Sequence, residues 1–158
     1  MKPRIDHRKV SPDALKAMLG LENYLHHSML DERLLNLVRM RVSQINGCAY
    51  CLDMHAKDLR AAGETEQRLY ELDAWRETPF FTERERAALA WAEAVTRVAG
   101  EHVPDAVFET ARSQFSEAEL VDLTLAVVAI NGWNRLNIAF RTVPGAYQPG
   151  ALAAQLAA

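Results

Sequence analysis

The chain has 158 residues, 49% hydrophobic and 25% charged, the proportions of a folded globular protein with one core. Seven glycines and six prolines exclude collagen-like and low-complexity chains. A net charge of −3 removes the basic footprint of a nucleic-acid binder, and the arginines are spread among acids.

The start, Met1-Lys2-Pro3-Arg4, is charged and lacks the apolar stretch of a secretory signal. The longest apolar run, 123–130, is interrupted by Thr124 and falls far short of the ~18 residues of a membrane span. The expected setting is therefore cytoplasmic, with neither membrane nor nucleic acid as partner. Ser11-Pro12-Asp13 reads as a helix start, followed by Leu15, Met18, Leu19, Leu21 and Leu25 at helical spacing and ending near His26-His27. Asp31 opens a second helix through Leu34, Leu35, Val38 and Val42 to Ile45, broken by Asn46-Gly47. A third runs over 48–62 and stops at Gly63, and 66–72 makes a short amphipathic piece before a loop at Thr78-Pro79.

Thr82-Glu83-Arg84-Glu85 and Ser116-Glu117-Ala118-Glu119 both fit the capping box. The first begins a helix ended by Gly100, and the second a long helix past Trp133 with a break at Gly132. Between them, Pro104-Asp105 starts a shorter helix through Phe108 and Ala111. No stretch alternates like a strand between hairpin turns. The reading is an all-α bundle of about six to eight helices in a single domain over 1–158, with no internal repeat. The segment 120–138 is apolar on nearly every side, so it belongs in a core or at a subunit interface.

The chemistry is concentrated around the two cysteines, Cys48 and Cys51. In a reducing compartment a Cys-x-x-Cys pair is catalytic or metal-binding more often than a structural staple. On a helix, positions three and four apart share a face, so Cys48, Cys51 and His55 form one stripe. The helix start favours thiolate, and a neighbouring imidazole accepts or relays the thiol proton. That is a nucleophilic thiol with a resolving partner: attack, sulfenic acid, then disulfide. Zinc would find only three ligands here, so no metal is expected. Covalent haem needs His directly after the second cysteine, where Leu52 stands, and a thioredoxin reading needs a βαβ setting. Buried thiols and a core histidine serving packing alone remain the bland alternative. His7, His26, His27 and His102 read as solvated or helix-end residues, Asp53 as a surface residue, and Trp91 and Trp133 as core or interface anchors. The cluster of Asn131, Asn134 and Arg135 fits either a subunit contact or a helix break.

The stretch Arg41-Val42-Ser43-Gln44-Ile45-Asn46-Gly47-Cys48-Ala49-Tyr50-Cys51-Leu52-Asp53-Met54-His55 resembles the core of the AhpD-like alkylhydroperoxidases, within the carboxymuconolactone decarboxylase-like superfamily. The resemblance extends through Ala61-Ala62-Gly63-Glu64, Trp75-Arg76-Glu77-Thr78 and Ile130-Asn131-Gly132-Trp133-Asn134-Arg135, and is strongest over 20–142. It implies an all-helical homo-oligomer, trimer or hexamer, that reduces organic hydroperoxides with a dithiol or lipoyl-type reductant and no bound cofactor. It implies Cys51 as the attacking thiol, Cys48 as the resolving one and His55 in the proton relay. Two departures stand out. The family's relay glutamate, twelve residues before the first cysteine, is Asn36 here, and a histidine often found between the cysteines is Tyr50. Glu32, one turn before Asn36, is the candidate substitute, and Tyr50 is a further candidate for the proton relay. Other activities compatible with the sequence are muconolactone-type decarboxylation and a redox-sensing or scaffold oligomer without turnover.

Overall fold

The computed structural model describes residues 2–156. Among them all regular structure is helical and no strand occurs. The order is α1 (His7–Val10), α2 (Pro12–His26), α3 (Glu32–Asn46), α4 (Ala49–Ala61), α5 (Glu66–Glu71), a 3₁₀ turn (Leu72–Glu77), α6 (Glu83–Thr96), α7 (Val98–Glu101), α8 (Asp105–Gln114), α9 (Glu117–Phe140) and α10 (Ala151–Leu156). Helix α3 is the axle of the bundle, packed against α4, α6 and α9 at once. Its run 34–43 is buried throughout except at Asn36, which is half-buried.

The local signals act as their chemistry requires. Thr82 and Ser116 each accept the N–H three residues on, and Glu85 and Glu119 reach back to the cap N–H groups at 2.8 Å. Asp31 caps α3 by accepting from the Arg33 N–H at 3.0 Å. Gly47 ends α3 at φ +67°, a left-handed conformation that costs a side chain dearly and glycine nothing. The chain reverses there, and α4 begins two residues later against α3.

Three start and stop expectations change. Ser11 makes no side-chain cap; α2 starts at Pro12 directly after α1, a turn with no buried residue to announce it. Helix α6 ends at Thr96 rather than Gly100, and α7 carries the chain on to His102, which takes the positive φ of 55°. Helix α9 is unbroken at Gly132. That glycine serves close packing instead: a Cβ there would lie 3.0 Å from the Met18 methyl on α2. Beyond 142 the chain turns back over the outer face of α4 and ends its described course in α10 beside α2.

One core cluster joins α2, α3, α6, α8 and α9 and includes both cysteines; a second joins Leu37, Met40, Leu59, Leu72, Trp75 and Leu89. No helix among the described residues is long and apolar enough to cross a membrane.

Candidate active site

The α3–α4 reversal sets the site. After Gly47 the Cys48 N–H bonds back to the Ser43 carbonyl at 3.0 Å, and Cys48 becomes the N-cap residue of α4. Cys51, in the first turn, and Cys48 then place their sulfurs 2.8 Å apart, both as free thiols. A disulfide bond is about 2.0 Å, so less than 1 Å of movement separates the pair from oxidation. One turn further on, His55 lies against α3, with Nδ1 3.1 Å from the Asn36 side-chain oxygen.

The two thiols titrate as a unit. The Cys51 S–H donates to Cys48, which lowers the Cys48 thiol to about 7 despite its burial. The same contact, joined by burial, pushes the Cys51 thiol up. The pair therefore gives up its first proton near neutral pH and holds the second tightly. The Asn137 amide donates to the Cys51 sulfur at 3.4 Å and stabilises charge there.

His55 is 2% exposed. Burial, reinforced by the nearby Arg39 cation, lowers its pKa to about 3, so the ring is neutral at physiological pH. The Asn36 amide fixes the tautomer. Its nitrogen donates to Glu32 at 3.2 Å, which turns its oxygen to the imidazole, and an oxygen can only accept. The proton therefore sits on Nδ1 and leaves Nε2 as a bare acceptor. Nε2 has no hydrogen-bond partner among the described residues. Glu32, half-exposed and held by Arg39 at 2.7 Å, reaches the histidine only through Asn36. It is an anchor for the amide and does not contact the ring.

A cavity of about 250 Å³ opens beside these groups. Cys51, His55 and Asn137 line it, and Cys48 does not. Tyr50 lines it too, its hydroxyl accepting from Arg8 at 2.9 Å and its ring lying under the same guanidinium. The remaining wall is largely apolar, with Leu15 and Leu19 from α2, Met54 from α4, Trp133 from α9 and Leu152 from α10. Trp133, expected as an anchor, is thus part of the site.

Sequence reading missed Glu22, a carboxylate 3% exposed in the cavity wall. One oxygen accepts from Trp133 Nε1 and the other from Arg39 Nη2, both at 2.9 Å. The signal was present: Glu22 lies one turn after Met18 and Leu19 and one before Leu25, an acid on the apolar stripe. Asn137 and Tyr147 carried no such signal. Asn131 and Asn134 work inside the chain, receiving the Asn46 amide at 3.0 and 2.8 Å, and Asn134 donates to Ser43. Among the described residues Arg135 bonds only back to Asn131. His7 is half-buried and stacks on Phe140 rather than standing in solvent. His26 and His27 stay exposed, and Asp53 binds Lys57 and the Gly145 N–H. Among the described residues no group of three or more His, Cys, Asp or Glu side chains is gathered as a metal ion needs.

The sequence model of the carboxymuconolactone decarboxylase family matches residues 12–94. The chain belongs to this family. Uncharacterized protein YdfG of Bacillus subtilis is 41% identical over 139 residues, covering 88% of this chain and 95% of its own. A crystal structure of a protein of unknown function from Agrobacterium tumefaciens, offered as a candidate antioxidant defence protein AhpD, superposes with a TM-score of 0.89 at 46% identity. The match covers 92% of this chain and all of the other. An uncharacterized peroxidase-related protein from Silicibacter sp. TM1040 gives 0.77 at 28% identity, over 89% of this chain and 75% of that one. These likenesses make the chain an AhpD-like member of the superfamily.

Proposed function

We propose that the protein is a thiol-dependent peroxidase that reduces organic hydroperoxides through Cys51 and Cys48. One observation carries this: two sulfurs at 2.8 Å, of which only Cys51 lines a largely apolar cavity, together with a buried neutral histidine. The AhpD-like and peroxidase-related neighbours support it.

At neutral pH the pair holds one proton, resting on Cys51. Transfer across to Cys48 frees Cys51 as the thiolate facing the cavity, where Asn137 steadies the charge. The thiolate attacks the outer peroxide oxygen; the S–O bond forms, the O–O bond breaks, and the alkoxide leaves. The proton held on Cys48 passes to that alkoxide, releasing an alcohol, and His55, which lines the same cavity, is the proposed carrier. The Cys48 thiolate then attacks the sulfenic sulfur of Cys51; the S–O bond breaks, the disulfide forms, and the departing hydroxide takes back from solvent the proton the pair released on ionising, leaving as water. Two thiols and one hydroperoxide become a disulfide, an alcohol and water. A dithiol or lipoyl-type reductant restores the thiols, which fits a reducing, cytoplasmic setting.

Peroxide consumption coupled to a dithiol reductant tests the reading, with Cys51→Ser as control. Thiol-dependent turnover lost in the control is the expected result. No turnover with any alkyl or aryl hydroperoxide by the reduced protein would overturn it and leave a disulfide that only senses oxidation.

The proposal includes assembly into a trimer or hexamer. Val121 and Val128, two turns apart on α9, are 66% and 52% exposed, a stripe that a second copy would cover. Light scattering should give a multiple of 17.7 kDa, and Val128→Glu should shift it towards the monomer.

A further inference from the structure

Nothing in the cysteine motif explains what walls the cavity on the side away from α3. That wall comes from residues 142–152, far along the chain from the cysteines and outside the part matched by the family model. The segment is fastened to the outer face of α4 by a run of hydrogen bonds. Lys57 donates to the carbonyls of Gly145 and Tyr147 at 3.0 and 3.2 Å. Asp53 accepts the Gly145 N–H at 3.0 Å. Asp58 accepts the Tyr147 hydroxyl at 2.8 Å and the Gly150 N–H at 3.0 Å. Fastened in this way, Tyr147 is 9% exposed, and Leu152 is carried across towards α2.

Tyr147 and Leu152 also line a second cavity of about 260 Å³, which holds Glu32 and Asn36 on its other side. With Glu22, which also lines both, the two side chains stand between the cavities, the thiol on one side and the outer end of the His55–Asn36–Glu32 chain on the other. We infer that Tyr147 and Leu152 determine substrate size: they form the wall against which the organic group of the hydroperoxide packs while its oxygens meet Cys51. This rests on the peroxidase reading for the identity of the substrate, but not for the existence of the wall. A cavity of about 150 Å³ lined by apolar side chains holds benzene. The thiol cavity, at about 250 Å³, suits a compact alkyl or aryl hydroperoxide. A long-chain lipid hydroperoxide would need the partition removed.

The test measures entry to the cavity without any peroxide. Reduced protein is alkylated with iodoacetamide, which is small, or with a pyrenyl maleimide, which is bulky, and labelling of Cys51 is located by fragment mass spectrometry. Tyr147→Ala and Leu152→Ala should each raise the ratio of bulky to small labelling rates by about ten-fold or more, the scale on which pocket size discriminates. Asp58→Asn, which keeps the volume but weakens the fastening, should raise it less. An unchanged ratio, or equal acceleration with both reagents, would overturn the inference. If Tyr147→Ala does not fold, Leu152→Ala decides. In turnover, Leu152→Ala should raise kcat/KM for a bulky aryl hydroperoxide relative to tert-butyl hydroperoxide. Absence of turnover in the parent protein would count against the peroxidase reading alone, because alkylation reads the wall independently.

Discussion

On the peroxidase reading, Asn36 is the residue through which the histidine should tune the rate. Its amide holds the His55 tautomer but cannot share a proton, and the imidazole stays neutral because burial and Arg39 lower its pKa to about 3. A carboxylate at this position would favour the protonated ring and make Nε2 a stronger base. General acid–base assistance contributes about 10²–10⁴-fold. Asn36→Glu should therefore raise the stopped-flow rate of thiol oxidation by at least about ten-fold. A folded variant with the parent rate would place Asn36 outside the relay. Glu32→Gln should change the rate much less, since Glu32 touches only the amide and Arg39. The thiols add a pH dependence. Because the pair loses its first proton near 7, single-turnover oxidation should rise between pH 6 and 8 and level above that range. With Cys48→Ser the rise should move to higher pH, since Cys51 then loses the partner that takes its proton. The same variant should trap a sulfenic acid on Cys51, detectable with a dimedone-type probe.

At the scale of elements, the geometry of the site is maintained by the seam between α3 and α9. Asn134 is fully buried and bonds to both Asn46 and Ser43, while Ser43 donates in turn to the Arg39 carbonyl. Removing the amide would leave the Asn46 side chain with Asn131 as its one acceptor among the described residues and the Ser43 hydroxyl one partner short. Asn134→Ala should cost about 2–3 kcal/mol by chemical denaturation, the penalty of buried polar groups left unmet. A loss below about 0.5 kcal/mol would show that water or a neighbour replaces it. The same seam shows what patterning can convey. Capping boxes at Thr82 and Ser116 and the Gly47 stop were legible because each is a local bargain between a side chain and its own backbone. The supposed break at Gly132 was not, because its small size answers to Met18 on another helix. The cysteine–histidine stripe was legible from spacing alone. Glu22 was legible as an acid on an apolar stripe, whereas Asn137 and Tyr147 come from far along the chain and their place in the cavity is a property of packing.

For the whole molecule, the buried histidine couples site and stability. The ring titrates near its ordinary 6.5 when unfolded and near 3 when folded. Between those values the unfolded chain binds a proton that the native chain refuses, so stability falls as pH falls. The loss is roughly 1 kcal/mol for each pH unit below 6.5. The carboxylates act lower down: Glu64 and Glu93 are held below their ordinary 4.5 by hydrogen bonds and ion pairs that outweigh burial, so their loss begins only near that value. From pH 6.5 to 5 the trend therefore belongs chiefly to His55, with a smaller part from His7, whose pKa burial also lowers. Denaturant titrations across this window should show the parent protein weakening steadily towards pH 5. His55→Gln fills the site with a group that never charges, and its curve should be nearly flat there, whatever its stability at pH 7. Parallel slopes in the two proteins would mean that the folded state admits a proton to the imidazole as readily as the unfolded chain does.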